Sequence, residues 1–374
     1  MKKLLSLLLV LCIMFSLSAC GSKPEEASNG GEETKEVTKV ALLVSGSLGD
    51  KSFHDSSQGG IDLIKEKYGD KVVTKTIEMG SDKTKFIPTL EDVSEEDWDV
   101  IITGTFHMKE PIEEVAPNYP DKTYILFDTA VSYDEVEGLD NVYSILYKQN
   151  EAGFLAGVLA AQMTTATDVD NINPDKKIGF LGAMDIPVIN DFLVGYIEGA
   201  KYIDEEIKVD ISYIDSFSDA AKAKELAIIQ YDTKGVDIGF NVAGRAGLGQ
   251  IEAAYEKNTY AIGVDSDQAL LFEDKPEKAN KIASSALKRV DKSLLRALDM
   301  YFEGNIPTGK KESIGLEEGA IGLSKNKYYE EIVPKEIKDK VLEIEGKIGS
   351  GEIKVNSAFG LSSEEIGQLK ESVK

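Results

Sequence analysis

Cysteine is nearly absent from this sequence. The chain has 374 residues and two cysteines, Cys12 and Cys20, both within the first twenty positions. Beyond Cys20 neither a disulfide nor a cysteine-based metal site can form, so the folded part must be held together by an apolar core. At this length we expect that core to be divided between two domains.

Histidine is equally scarce, because His54 and His107 are the only two in the chain. Neither lies in a Gly-x-Ser-x-Gly or His-Glu-x-x-His pattern, and the nucleotide-binding patterns Gly-x-Gly-x-x-Gly and Walker A are absent too. The acidic pair Asp265 and Asp267 lacks the surrounding oxygen ligands that a calcium site needs. The sequence therefore predicts a protein that is not an enzyme and that holds no metal and no cofactor. Residue spacing alone leaves one alternative open, a pair of carboxylates that acts on a sugar.

Basic residues are also fewer than acidic ones, with 42 Lys and Arg against 66 Asp and Glu. The formal net charge is −24 at pH 7. Such an acidic surface repels the phosphates of nucleic acids and the headgroups of anionic lipids. We therefore expect no nucleic acid partner and no membrane contact through the folded surface.

The one long apolar run lies at the N-terminus. Lys2 and Lys3 precede apolar residues 4–17, a stretch too short for a membrane span and typical of a secretory signal peptide. The tetrapeptide LSAC that ends at Cys20 resembles a bacterial lipobox. We expect residues 1–19 to be removed and Cys20 to carry a lipid anchor on the extracytoplasmic face of the cell membrane. An ordinary cleavage site beside a chance cysteine is the alternative.

The rest of the chain shows a change of pattern near residue 39. Residues 20–38 are rich in Gly, Ser and Glu and predict a flexible tether. From Lys39 onward, short Val/Ile/Leu-rich strands alternate with helical patterns, which is typical of parallel sheets covered on both faces. The predicted strands are 40–45, 72–78, 100–104, 124–128, 142–146, 178–182, 209–214, 238–242 and 261–264.

This alternation predicts an α/β protein with two doubly wound parallel-sheet lobes and a ligand cleft between them. Breaks in the strand series near 147–150 and 265–290 suggest where the chain crosses between lobes. We expect lobe 1 to comprise 39–148 and about 266–320, and lobe 2 to comprise 149–265 and part of about 321–360. Residues 361–374 are either a packed C-terminal helix or a loose tail.

Ligands of open parallel sheets bind beyond the carboxyl ends of the strands, so side chains that follow strands are the candidate site. The side chains at these positions are Asp50, Phe53, His54, Phe106, His107, Asp128, Phe217, Gly244, Arg245, Asp265, Ser266, Asp267 and Lys288. Aromatic faces can stack on a flat ring, and carboxylates accept hydrogen bonds from vicinal hydroxyls. The set fits a nucleoside better than a nucleotide, because the acids would repel a phosphate. Core packing is the competing interpretation for Phe53, and Asp50 and Ser52 are equally suited to cap the following helix.

An ordered set of segments resembles one known family, the basic membrane protein lipoproteins, which include purine nucleoside receptors of ABC transporters. The resemblance covers about 39–323. Its segments are GDKSFHDSSQGG (49–60), NEAGFLAGVLAAQMT (150–164), IGFLGAMDIPVINDFLVGYIEGAKY (178–202), DSFSDAAKAKELA (215–227), VDIGFNVAGRAGLGQIEAA (236–254), YAIGVDSDQ (260–268) and SALKRVDKSL (285–294).

The resemblance implies a type I periplasmic-binding-protein fold that closes on a nucleoside and hands it to an ABC transporter permease. It also implies that Phe53 and Phe217 sandwich the base, while Asp128 and His54 address the base edge. We expect the protein to act as a monomer.

For the ribose, the resemblance implies contacts with Asp265, Lys288 and the backbone near Gly244. A receptor or sensor of the same fold for a sugar or another small polar metabolite is the alternative function. A nucleoside-processing enzyme is less favoured, because the sequence lacks a metal-binding aspartate cluster near the first strand.

Three residues depart from the family pattern. His54 occupies the place of an asparagine, Arg245 lies within a Gly-Arg-Ala-Gly run that replaces Gly-Gly-Thr-Gly, and Ser45 stands where relatives often carry an acid. The resemblance therefore leaves the identity of the base open.

Overall fold

The computed structural model describes residues 37–374. The predicted signal peptide, the predicted lipid attachment at Cys20 and nearly all of the predicted tether lie outside this range. In the described range, the strands in chain order are β1 (Thr38–Val44), β2 (Val72–Glu78), β3 (Val100–Gly104), β4 (Thr123–Phe127), β5 (Val142–Tyr147), β6 (Lys177–Gly182), β7 (Lys208–Tyr213), β8 (Ile238–Val242), β9 (Tyr260–Asp265), β10 (Ile282–Lys288), β11 (Lys310–Ile314) and β12 (Ile321–Leu323).

Helices separate most of these strands. In chain order they are α1 (Phe53–Tyr68), α2 (Phe86–Glu95), α3 (Lys109–Val115), α4 (Gln149–Thr165), α5 (Pro187–Ile203), α6 (Ala220–Thr233), α7 (Leu248–Lys257), α8 (Pro276–Ala279), α9 (Val290–Phe302), α10 (Lys327–Ile332), α11 (Lys335–Gly349) and α12 (Ser363–Glu371). None of the helices between residues 37 and 374 is long and apolar enough to cross a membrane.

The strands form two six-stranded sheets, and each sheet is the centre of one lobe. The spatial order is β11-β5-β4-β3-β1-β2 in lobe 1 and β12-β10-β9-β8-β6-β7 in lobe 2. The paired strands of lobe 1 are all parallel, whereas in lobe 2 β12 runs antiparallel to β10. The predicted α/β class with two doubly wound sheets is confirmed.

Central strands such as β1, β3 and β4 are almost continuously apolar because helices cover both faces of their sheet. On β1, Leu42 and Val44 join the core cluster that contains residues of α1 and α9. Ala41 and Leu43 point to the other face and join the cluster that contains residues of α2 and α3. A strand buried on both sides loses the alternation of polar and apolar residues, which is why it reads as a continuous apolar run.

One part of the expected lobe assignment is wrong. Residues 282–288 form β10, which pairs in parallel with β9 in the lobe 2 sheet, whereas the region 266–320 was expected in lobe 1. The break in strand pattern after Asp265 is a connection within lobe 2 that contains the short helix α8. The chain crosses to lobe 1 only after Lys288, where α9 begins and packs on the α1 side of the first sheet.

Helix α4 is buried on nearly all sides, as its apolar sequence predicts, and it packs along α5. Gly153 and Gly157 of α4 face Gly195 and Gly199 of α5. A Cβ atom at Gly157 would overlap the carbonyl oxygen of Tyr196, and the other three glycines are equally close to the facing backbone. The two helices therefore approach each other more closely than larger side chains would allow.

The C-terminal segment 361–374 forms a helix. Ser362 and Glu365 form a reciprocal capping box at the start of α12. Ile366 and Val373 are buried, and the Val373 carbonyl accepts a hydrogen bond from the backbone of β7. Of the two alternatives, the structure has the packed helix.

Candidate ligand-binding site

A cavity of about 460 Å³ lies between the carboxyl ends of the two sheets. This is the position at which open parallel sheets bind ligands, and the volume lies within the usual range for small-molecule sites. The structure brings to its wall all seven residues to which the resemblance assigns a ligand contact, namely Phe53, His54, Asp128, Phe217, Gly244, Asp265 and Lys288.

In the loop between β1 and α1, Asp50 caps the helix and Ser52 contacts the second lobe. Asp50 is buried, and its carboxylate accepts hydrogen bonds from the backbone N–H groups of Ser52, His54 and Asp55 at 2.9–3.1 Å. Asp50 therefore satisfies the free donors at the start of α1. Ser52 makes no capping bond with its side chain; its hydroxyl donates across the cleft to Asp265 at 2.6 Å.

Three charged side chains form what we call the acid–lysine cluster, made of Asp128, Lys288 and Asp265. The Lys288 ammonium donates to Asp128 at 2.6 Å, with only 4% of the lysine side chain and 9% of the aspartate side chain exposed. Burial raises the pKa of Asp265 to about 6, although the charge of Lys288 and the hydrogen bond from Ser52 oppose this rise. A ligand at this cluster meets both donors and acceptors in a largely dehydrated environment.

Both carboxylates of the cluster sit on strained backbone. Asp128 has a φ of 67° and Asp265 a φ of 62°, and each lies at the end of its strand. Left-handed backbone costs a residue other than glycine about 1–2 kcal/mol, and aspartate tolerates it better than most. Such strain is concentrated at binding and catalytic sites, where it directs a side chain toward its target.

Aromatic rings surround the Lys288 ammonium. Its nitrogen lies 5.6 Å from the ring centre of Phe53, 5.2 Å from that of Phe192 and 5.6 Å from that of Tyr147. Phe53 also packs on Phe127, with 5.4 Å between ring centres, so it belongs to the cavity wall and to the core at once. Phe192 was not among the candidates predicted from the sequence. Its one signal is its position four residues after Val188 on α5, which puts the two side chains on the same helix face, and both line the cavity.

Two further aromatic rings lie at the cavity with more exposure to solvent. Phe217 follows β7 in lobe 2 and is 36% exposed, while Phe106 follows β3 in lobe 1 and is 39% exposed. The Phe217 ring lies close to Gly244, which has a φ of 53° and where a Cβ atom would be 3.9 Å from the ring. The cavity thus offers aromatic faces from both lobes.

His54 packs its imidazole against the backbone of Gly46. A Cβ atom at Gly46 would overlap the ring, so the close approach depends on glycine there. Burial lowers the pKa of His54, against the opposing influence of the Asp50 and Asp55 carboxylates. At neutral pH the imidazole is therefore uncharged, with one nitrogen that donates and one that accepts.

The β1–α1 loop also bridges the two lobes through backbone carbonyl groups. The Arg245 guanidinium of lobe 2 donates to the Leu48 carbonyl at 2.8 Å, and the Gln268 amide donates to the Lys51 carbonyl at 3.0 Å. In the opposite direction, the Lys51 ammonium donates to the Leu271 carbonyl at 2.6 Å. The loop that carries Phe53 is therefore in direct contact with lobe 2.

Metal binding finds no support in residues 37–374, where no group of three or more His, Cys, Asp or Glu side chains could hold an ion. Asp265 and Asp267 bind different partners: Asp265 accepts a hydrogen bond from Ser52, and Asp267 accepts one from Asn326 at 2.6 Å.

Comparison with known proteins identifies the family. A family model described as ABC transporter substrate-binding protein PnrA-like matches residues 37–358. Basic membrane protein A1 of Borrelia garinii subsp. bavariensis is 31% identical, over 94% of this chain and 96% of that protein. The ABC transporter nucleoside-binding protein BmpA of Lactococcus lactis subsp. cremoris is 29% identical, over 88% of this chain and 93% of that protein.

Solved structures agree with this result. An ABC transporter solute-binding protein from Aeropyrum pernix K1 superposes with a TM-score of 0.75 at 28% identity, covering 90% of this chain and 98% of the other. The predicted two-lobed periplasmic-binding fold is thereby confirmed. This chain belongs to the Bmp family of PnrA-like ABC transporter substrate-binding proteins.

Proposed function

We propose that the protein binds a purine nucleoside in the cavity between its lobes and delivers it to the permease of an ABC transporter. Membership of the family makes the chain the extracytoplasmic substrate-binding component of such a transporter, with a small-molecule ligand and a permease as partners. The observation that carries the choice of ligand is the meeting of aromatic faces and the acid–lysine cluster in one cavity.

The aromatic faces suit a flat base. Phe53 from lobe 1 and Phe217 from lobe 2 line the same cavity, so a base between them would be stacked on both sides. Stacking of a base on an aromatic side chain contributes about 1–3 kcal/mol in nucleic-acid-binding proteins. Closure of the two lobes on the base would bring both contacts into place at once.

The acid–lysine cluster suits a ribose. Asp265 can accept hydrogen bonds from neighbouring hydroxyl groups, and Lys288 can donate to their oxygens. Asp128 holds the Lys288 ammonium in position through its 2.6 Å contact. A phosphate at the same place would meet two carboxylates, so an uncharged nucleoside is the better ligand.

Further support comes from the relative in Lactococcus lactis, which is named as a nucleoside-binding protein. The proposal includes a lipid anchor at Cys20, which rests on the LSAC tetrapeptide, and a monomeric protein. Mass spectrometry of membrane-extracted protein would reveal an acylated N-terminal Cys20. Release of a Cys20→Ala variant into the medium would agree with this anchor, and an unmodified cysteine in the extracted protein would contradict it.

Isothermal titration calorimetry tests the ligand. Full-length protein is titrated with adenosine, guanosine, inosine, cytidine, uridine, and the sugars ribose and arabinose. We expect binding of purine nucleosides, release of the ligand unchanged, and a loss of about five- to 150-fold in affinity in Phe53→Ala. Phe359→Ala is the matched control, because Phe359 is 49% exposed and lies outside the cavity.

Three results would contradict the proposal. Silence across all five nucleosides would refute it, and binding of the free sugars alone would favour a sugar receptor of the same fold. Appearance of free base after incubation would indicate an enzyme.

A further inference from the structure

Arginine is rare in this chain, and one of its three arginines lines the cavity. Arg245 lies in the short helical turn Gly244–Gly247 that follows β8, whereas Arg289 and Arg296 lie outside the cavity wall. Arg245 therefore adds a permanent positive charge to a site whose other cation, Lys288, is already engaged by Asp128.

The Arg245 guanidinium is only partly used by the protein. Within residues 37–374 it forms no ion pair, and its one hydrogen bond goes to the Leu48 carbonyl at 2.8 Å. A guanidinium carries five N–H donors and no acceptor. Because Arg245 lines the cavity, its remaining donors are available to a ligand bound there.

Arg245 lies at the same end of the cavity as the aromatic side chain of lobe 2. The Phe217 carbonyl accepts a hydrogen bond from the backbone of Ala246, and the Phe217 ring lies beside Gly244. A base stacked on Phe217 would therefore turn one edge toward Arg245. His54 lies near enough for the charge of Arg245 to contribute to the lowered pKa of its imidazole.

We propose that Arg245, with His54 beside it, is a specificity-determining residue that binds the oxygen-bearing edge of a 6-oxopurine. This inference rests on the proposed function and narrows it to guanosine and inosine in preference to adenosine. The edge of a 6-oxopurine presents two acceptors, O6 and N7, which match two donors of one guanidinium. The 6-amino group of adenosine is a donor and would face the guanidinium without a partner.

The bridge to Leu48 requires a control for lobe closure. Lys51 also joins the lobes, through the Leu271 carbonyl at 2.6 Å, but it does not line the cavity. Lys51→Ala should therefore weaken the binding of all nucleosides by a similar factor. Arg245→Ala should weaken the binding of guanosine and inosine more than that of adenosine. The substitution removes the N–H donors to the base as well as the hydrogen bond to Leu48.

Calorimetry on the full-length wild type, Arg245→Ala, Arg245→Lys and Lys51→Ala tests the inference. The wild type should bind guanosine and inosine about ten- to a hundredfold more tightly than adenosine. This ratio should fall toward one in Arg245→Ala, fall partly in Arg245→Lys, and persist in Lys51→Ala.

Two outcomes overturn this inference alone: equal affinities of guanosine and adenosine in the wild type, or a ratio that Arg245→Ala leaves unchanged. Tighter binding of the 5′-monophosphates than of the nucleosides, lost in Arg245→Ala, would assign the guanidinium to a phosphate and also overturn it. Absence of binding by every nucleoside in the wild type would overturn the proposed function as well.

Discussion

Replacement of Lys288 by methionine removes the charge at the centre of the site while keeping much of the side-chain volume. Lys288 and Asp128 are both nearly inaccessible to solvent, at 4% and 9% exposure, and their charged atoms are 2.6 Å apart. Removal of one partner of a buried ion pair leaves an uncompensated charge and costs about 3–5 kcal/mol. We expect a loss of unfolding free energy of that size at neutral pH.

The loss should also depend on pH. Burial already raises the pKa of Asp265 to about 6, and the charge of Lys288 is the first influence that opposes this rise. Without Lys288 the pKa rises further. A carboxyl group whose pKa is higher in the folded state than in the unfolded state, where it is about 4, destabilises the folded protein when it is ionised. This destabilisation grows as the pH rises from the unfolded-state pKa through the folded-state pKa. The destabilisation in Lys288→Met should therefore be smaller at pH 5 than at pH 8.

Urea unfolding followed by circular dichroism at pH 5, 7 and 8 measures both effects. Lys67→Met is the matched control, because Lys67 contacts Asp299 at 2.7 Å with 49% and 29% of the side chains exposed. A surface pair of this kind contributes about 1 kcal/mol or less. Equal losses in the two variants would show that the buried pair contributes no more than a surface pair. A loss in Lys288→Met that does not change with pH would show that Lys288 does not influence the pKa of Asp265.

The site and the core allow three more predictions. Nucleoside affinity should fall about tenfold between pH 7 and pH 5, because Asp265 becomes protonated and accepts hydrogen bonds less well; calorimetry should find no such fall in Asp265→Asn. Asp237→Asn is the control and should keep the fall, since Asp237 is also buried with a pKa raised to about 6 but lies outside the cavity. Ser52→Ala should move the midpoint of the affinity profile to higher pH by removing a donor to Asp265, and an unchanged midpoint would contradict that role. Gly157→Ala should lower the melting temperature through overlap with α5, at a cost of about 1–3 kcal/mol. Gly346→Ala is the control, because nothing lies near the added methyl group, and it should stabilise the protein by about 0.5–1 kcal/mol. Equal melting temperatures of the two variants would contradict this packing argument.

The buried strands could be predicted closely from sequence because burial on both faces gives them continuous apolar runs. The bounds predicted for 100–104 and 238–242 are those of β3 and β8. Strand β11 gave no such signal, since Lys310 to Ser313 are polar or charged and the strand lies at the edge of its sheet. The sequence pattern assigns strand β10 to the wrong lobe, because lobe membership depends on pairing with β9, which a local pattern does not contain.

The candidate site was predictable as a set of strand ends but not as a set of contacts. The rule for parallel sheets brings Asp128, Asp265 and Lys288 to one cleft. The bond between Lys288 and Asp128 joins residues 160 positions apart, and that between Ser52 and Asp265 joins residues 213 positions apart. Sequence reasoning treated Ser52 as a helix cap because that local role needs no knowledge of the second lobe.

A crystal structure of the full-length protein with bound guanosine would show whether the cavity holds a nucleoside in the proposed orientation. We expect the base between Phe53 and Phe217, the ribose hydroxyls on Asp265 and Lys288, and O6 and N7 facing Arg245. A nucleoside bound outside this cavity, or bound inside it without contact to either phenylalanine or to the acid–lysine cluster, would rule out the proposed binding mode.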